Sequence, residues 1–188
     1  MAAKSSSNLN KKIGIIIGST RPQRIGPSIA KWVLGQASQR QDLKFEIIDL
    51  AEINLPMFDE PRVPAMGQYE HEHTKRWAAV VAGFDGFIFV TPEYNYGYPA
   101  SLKNALDFIY KEWKGKPAAF VGYGAAAGGL RAVMQLKQLL FILKMVPVYV
   151  DVIIPRANSQ VADGRFTPQE DQVKALDDLL DDLAARFA

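Results

Sequence analysis

The sequence predicts an α/β fold: a three-layer sandwich built on a five-stranded parallel sheet with helices on both faces, for which the common doubly wound order 2-1-3-4-5 is adopted as the leading topology. Three observations carry that expectation. Short apolar runs alternate with segments of helical period, and a turn signal stands at each change. The first strand, Lys12–Gly18, is β-branched at Ile13, Ile15, Ile16 and Ile17 without a polar face, as a strand covered on both sides requires. That strand breaks into a polar loop carrying Gly18, Ser19, Thr20, Arg21 and Arg24, before a helix opened by Pro27.

Composition narrows the function classes. With 188 residues, 48% hydrophobic, residues 12–188 read as one domain, and residues 1–11 as a disordered N-terminal lead. A balance of 22 Lys+Arg against 20 Asp+Glu offers no bulk attraction for nucleic acid. The chain has no cysteine, so thiol chemistry is excluded and any redox function must be carried by a bound cofactor. No apolar run approaches the roughly 18 residues of a membrane span, and the first residues lack the apolar core of a signal peptide. A cytoplasmic protein with no membrane partner is expected.

The elements follow in order. After the first loop, Ile29, Trp32, Val33 and Ala37 share one helical stripe that ends near Arg40 and Gln41. Lys44–Asp49 alternates apolar and polar residues and suits a strand nearer the sheet edge. A proline-containing loop, Leu55–Met66, has the length of a binding loop or subunit contact. A helix from Tyr69 to Ala82, stopped by Gly83, leads to the third strand, Gly86–Thr91. Pro99 opens the next helix, whose inward stripe is Leu102, Ala105, Leu106 and Ile109. Lys116–Tyr123 is the fourth strand and runs into a glycine-rich loop, Gly124–Gly129.

The following helix, Leu130–Lys144, is apolar nearly all round. Leu136, Leu139, Leu140, Phe141, Ile142 and Leu143 cannot all face one sheet, which predicts a second buried face against another subunit. Val146–Val152 is the fifth strand. Thr167, Pro168 and Glu170 predict a capping box opening a last helix, with Val173, Leu176, Leu180, Leu183 and Phe187 inward.

In the order 2-1-3-4-5 the ligand crevice lies where strands 1 and 3 diverge. The loops Ser19–Gly26, Pro92–Tyr98 and Gly124–Gly129 should therefore meet at one sheet edge. The first has neither the Gly-Lys-Ser/Thr ending of a P-loop nor a G-x-G-x-x-G fingerprint, although Asp49 ends strand 2 as a ribose-binding acid would. Its hydroxyls and two guanidinium groups suit a terminal phosphate. The second, with Pro92, Asn95 and three tyrosines, Tyr94, Tyr96 and Tyr98, suits a flat heteroaromatic ring. The third lets backbone approach a planar ligand through Gly124, Gly128 and Gly129. Together they describe a phosphate-bearing aromatic cofactor.

The segments GSTRPQRIG, PEYNYGYPASLKNALDF and YGAAAGGLRA resemble the signatures of the NAD(P)H-dependent FMN reductase family, flavodoxin-like quinone, azo-dye and chromate reductases, over about Lys12–Val152. The resemblance implies that Ser19, Arg21, Arg24 and Ile25 hold the FMN phosphate. It implies that Pro92, Glu93, Tyr94 and Asn95 line the isoalloxazine, and that Gly124 and Gly128 border it. Gly122 stands where many such relatives carry serine. The implied activity passes a hydride from NADPH or NADH to flavin N5, and the electrons then go to a quinone, azo dye, chromate or free flavin. The chemistry sits on the flavin, so no catalytic side chain is expected. A homodimer is implied, with a homotetramer as the alternative.

Two rival readings share the topology. A flavodoxin-type electron carrier would have a threonine-rich phosphate loop and a strongly acidic surface, unlike this near-neutral, arginine-bearing chain. A receiver-type signalling domain would need acidic residues where this chain has Gly18, Ser19, Thr91 and Pro92. No metal is expected: His71 and His73 are spaced to fall on different faces of a helix, and Asp177, Asp178, Asp181 and Asp182 read as a solvated helix face. Arg131 reads equally as a nicotinamide-phosphate ligand or as a surface residue.

Overall fold

The structure is a computed structural model that describes residues 11–188. The expected lead, residues 1–11, thus lies almost wholly outside the described residues. Five parallel strands, β1 (Lys11–Ile17), β2 (Leu43–Asp49), β3 (Gly86–Pro92), β4 (Pro117–Tyr123) and β5 (Val146–Ile154), form one sheet in the order β2-β1-β3-β4-β5. This is the expected flavodoxin-like order, with the register set by pairs such as Ile13↔Phe45, Ile13↔Gly86 and Phe89↔Phe120.

The unbroken apolar run of β1 splits by the two-residue strand period into two cores. Ile13, Ile15 and Ile17 join Ile88, Val90 and Val121 beneath α1 (Gly26–Ala37) and α6 (Glu170–Ala185). Ile16 joins Phe87, Phe89, Phe120, Trp77 and Trp113 on the opposite side. There the sheet is covered by α3 (Glu72–Ala82), α4 (Ala100–Asp107) and α5 (Leu130–Ile142), which follow the four-residue α2 (Leu50–Ile53). The second core is aromatic, and Gly14 makes room for it: a β-carbon there would stand 2.9 Å from the Phe87 ring.

Several expectations shift. The helix expected from Tyr69 starts at Glu72, because the carboxylate of Glu60 accepts the amides of Glu70 and His71 and holds them outside the helix. His71 is therefore the residue preceding α3, in extended conformation, and its ring stacks on that of His73 at 5.1 Å instead of facing away from it. Among the described residues no group of three His, Cys, Asp or Glu could hold a metal.

The last helix begins at Glu170 with Gln169 and Gln172 forming the reciprocal capping box, so Thr167 does not cap it. Pro99 precedes the first residue of α4 and does not lie within it. A small hairpin, β6 (Val161–Ala162) with β7 (Arg165–Phe166), was not expected. Asp163 and Gly164, both at positive φ, form its turn.

Candidate functional site

The loops after β1, β3 and β4 converge at the C-terminal edge of the sheet, as the topology requires. They enclose a pocket of about 200 Å³ to which Arg21, Arg24, Ile25, Pro92, Glu93, Tyr94 and Gly124 contribute. Ser19, Asn95 and Gly128 do not line it. Ser19 is fully buried beneath it, and its hydroxyl lies 2.6 Å from that of Tyr94, tying the first loop to the second. Asn95 is at the exposed tip of the second loop. Gly128 is buried at φ +61°, where a β-carbon would stand 2.8 Å from the Pro155 nitrogen; its role is to seat the glycine loop on the end of β5.

The two arginines of the first loop differ. Arg24 is mostly buried, donates to the Ser19 carbonyl at 2.7 Å and pairs with Asp49 at 2.6 Å. Arg21 is exposed, 5.9 Å from the Tyr94 ring centroid, and among the described residues has no carboxylate partner. Beside it, the amides of Ile25 and Gly26 at the start of α1 donate to no acceptor among the described residues. A free guanidinium and open helix-start amides make an anion-binding end of the pocket.

At the other end the second loop folds back as a two-residue turn. Tyr94 N–H donates to the Gly97 carbonyl at 2.8 Å and Gly97 N–H to the Tyr94 carbonyl at 2.9 Å, with Asn95 and Tyr96 both at positive φ. The amides of Asn95 and Tyr96 point from the tip without an acceptor among the described residues. Glu93 reaches the pocket, but its carboxylate takes the Arg131 amide at 3.1 Å and the Arg131 guanidinium at 2.5 Å. Arg131 is thus drawn into an ion pair at the start of α5, with its side chain still 42% exposed.

Tyr123, Gln23, Ala125, Ala157 and Asn158 also line the pocket and were missed by sequence reasoning. Tyr123 ends β4 on the α1 side, and its hydroxyl stands 2.7 Å from where a Gly26 β-carbon would be, so only glycine lets the helix approach. Burial pushes that hydroxyl well above the ordinary tyrosine value, leaving it a neutral donor. Ala157 and Asn158 arrive because β5 runs to Ile154, beyond the expected Val152. The Ala157 amide then donates to the Gly124 carbonyl at 3.0 Å, joining a fourth loop to the site.

Gly122 leaves no space for a serine: a β-carbon would lie 2.9 Å from Val133 Cγ2 and 3.1 Å from the Gly129 carbonyl. The donor set as a whole fits a phosphate-bearing ring. Charge and open amides lie at one end, and unpaired backbone donors with an apolar proline and tyrosine rim lie at the other.

The loop Leu55–Met66 does not line this pocket. Leu55 and Met57 instead border a second cavity with Thr20 and the start of α4, on the other side of the first loop. Asn104 fixes this loop from α4, donating to the Pro56 carbonyl at 2.7 Å and accepting from the Phe58 amide at 2.8 Å.

Comparison with known proteins gives the family. Residues 11–159 match the family model described as NADPH-dependent FMN reductase. An NAD(P)H-dependent FMN reductase of Schizosaccharomyces pombe is 43% identical over 175 residues, covering 91% of this chain and 86% of the relative. A quinone reductase of Pseudomonas putida is 30% identical over 139 residues, 71% of each chain. Among solved structures, the flavoenzyme NAD(P)H:(acceptor) oxidoreductase FerB of Paracoccus denitrificans superimposes with a TM-score of 0.73 at 27% identity, covering 94% of this chain and 97% of that one. The chain belongs to the NADPH-dependent FMN reductase family and is an oxidoreductase that draws on NAD(P)H through FMN.

Proposed function

We propose that FMN binds with its phosphate between Arg21 and the start of α1 and its ring against Pro92–Asn95 and Gly124, and that the electrons pass to a small quinone-class acceptor. One observation carries this placement: a pocket at the switch between β1 and β3 with the free Arg21 guanidinium and open helix-start amides at one end and an aromatic turn with free amides at the other. When bound, FMN supplies the redox chemistry, taking two electrons from the nicotinamide and giving them to the acceptor.

The chain's own residues bind and orient. Arg21 balances the phosphate charge, Arg24 and Ser19 hold the loop in shape, and the amides of Asn95 and Tyr96 donate to acceptors on the ring edge. Tyr123 closes the floor. A pocket of about 200 Å³ is smaller than the ~300 Å³ from which most small-molecule sites begin. It therefore encloses only part of a flavin nucleotide.

A homodimer fits this reading. Met134, Phe141 and Ile142 on α5 and Tyr149 on β5 are large apolar residues left exposed, Phe141 by 82% and Tyr149 by 88%. A cytoplasmic location supplies the nicotinamide that the reaction consumes, and among the described residues no helix is long and apolar enough to cross a membrane.

The experiment is direct. The purified protein is reconstituted with FMN, its absorption is followed on addition of NADPH and of NADH, and turnover is measured with benzoquinones, azo dyes, chromate and free FMN. Bleaching followed by recovery with quinone is expected. A protein that binds no FMN, or whose flavin spectrum is indifferent to both nicotinamides, overturns the reading.

A further inference from the structure

The turn after β3 breaks a rule of local sequence, and the helix that compensates for it is α5. A two-residue turn with both central residues at positive φ favours Asn at the first position and Gly at the second. Asn95, at φ +48°, suits the first; Tyr96, at φ +73°, does not suit the second, because an aromatic residue crowds its own backbone there. Such a conformation persists only where its surroundings hold it.

Those surroundings are two side chains one helical turn apart. The Arg131 guanidinium lies 3.9 Å from the centroid of the Tyr96 ring. Gln135 Nε2 donates to the Tyr96 carbonyl at 3.0 Å. Arg131 also grips Glu93, just before the turn, through its guanidinium and its amide. Both ends of the turn are thus fastened to the first turns of α5, and between them lie the free amides of Asn95 and Tyr96.

We propose that Arg131 and Gln135 are positioning residues that hold the Tyr94–Gly97 turn, and with it the two free amides, in the geometry that meets the flavin ring. This rests on the placement of the ring proposed above. It assigns Arg131 to the ring end of the site, with no direct role at either the flavin phosphate or the nicotinamide phosphate. The physical reason is that its charge is already neutralised by Glu93, while its planar face is spent on Tyr96.

The test compares Arg131→Ala and Gln135→Ala with wild type by titrating flavin-free protein with FMN and with riboflavin, recording the absorption of the bound flavin and its midpoint potential. Without the clamp the turn relaxes from its strained geometry and binding must restore it, so Arg131→Ala should weaken both flavins alike by about tenfold and shift the bound spectrum and the potential. Gln135→Ala should do the same to a smaller degree. The control is Tyr96→Gly, which restores the favoured Asn-Gly turn: in that background the Arg131 and Gln135 substitutions should cost little.

A loss confined to FMN would make Arg131 a phosphate ligand and overturn the proposal. So would a selective rise in the KM for NADPH over NADH with the spectrum unchanged, or losses undiminished in the Tyr96→Gly background. Wild-type protein that binds neither flavin would instead overturn the placement of the flavin on which the proposal stands.

Discussion

Arg24 and Asp49 face each other at 2.6 Å across the mouth of the first loop, with only 17% and 10% of their side chains exposed. The other carboxylate oxygen of Asp49 accepts the Ala51 amide at 3.0 Å and caps α2. The last residue of β2 therefore fixes an arginine of the loop after β1, and that arginine in turn holds the Ser19 carbonyl. Its charge is balanced within the chain. The loop has one cation with charge to spare, and it is Arg21.

The arginines should consequently separate in a flavin-binding measurement. Arg21→Ala is expected to weaken FMN by about tenfold to a hundredfold, the value of a charge-assisted hydrogen bond, and to leave riboflavin binding and unfolding stability unchanged. Arg24→Ala strands a largely buried carboxylate and should cost about 3 kcal/mol in denaturant unfolding, with both flavins weakened. Equal behaviour of the two variants would refute the division of labour.

Asp49→Asn tests the same pair from the other side. Asparagine keeps an oxygen for the Ala51 amide but removes the charge that neutralises Arg24, so the flavin-free protein should lose about 3 kcal/mol of stability. A bound phosphate can replace that charge. FMN should then bind more tightly relative to riboflavin than in wild type and restore part of the lost stability, measured as the shift in denaturant midpoint with each ligand. An unchanged ratio of the two affinities would show that Arg24 does not sense the phosphate.

The five parallel strands and their alternation with helices were legible in the sequence because apolar runs and turn signals are local. Their order was adopted from a common doubly wound topology, since local pattern alone also permits 3-2-1-4-5, and the meeting of the three loops followed once that order was adopted. The failures share a cause. His71 was placed on a helix by propensity, yet the Glu60 carboxylate, distant in sequence, takes its amide. Thr167 looked the better cap by residue type, whereas Gln169 and Gln172 satisfy each other. Asp163-Gly164, by contrast, carries its turn signal in the local sequence. Arg131 was undecidable from one segment, since its partners, Glu93 and Tyr96, come from another loop. The apolar excess of α5 was legible: Leu136 and Leu140 are buried, while Phe141 and Ile142 are left outside.

The aromatic core offers a matched pair of stability measurements. Trp77 and Trp113 are both buried and meet edge to face at 6.0 Å. Trp77 Nε1 donates at 2.8 Å to the Ala105 carbonyl, one of the last carbonyls of α4, whereas Trp113 Nε1 has no partner among the described residues. Changing either to Phe removes the same volume, but only Trp77→Phe loses a hydrogen bond and leaves a carbonyl unpaired. Trp77→Phe should therefore be the more destabilising by about 1–2 kcal/mol in denaturant unfolding. The reverse order would mean that cavity relaxation, and not the bond, sets the cost.

Glu60 links the Leu55–Met66 segment to α3, and its contribution should depend on pH. Burial opposes its charge, but the surrounding donors, the Glu70 and His71 amides among them, together outweigh that, and the carboxyl sits below its ordinary value of 4.5. A folded-state value below the unfolded one means that the folded protein binds fewer protons between the two, so stability from this group is complete above about pH 5 and is lost as the pH falls from 4.5 through the folded value. Glu60→Gln keeps an acceptor oxygen without the charge. It should cost about 2 kcal/mol at pH 7, and the gap to wild type should narrow as both are unfolded at successively lower pH below 4.5, where the wild-type carboxyl takes up its proton. A gap that stayed constant across that range would show that Glu60 acts by shape alone, and that the start of α3 is set by the chain around it.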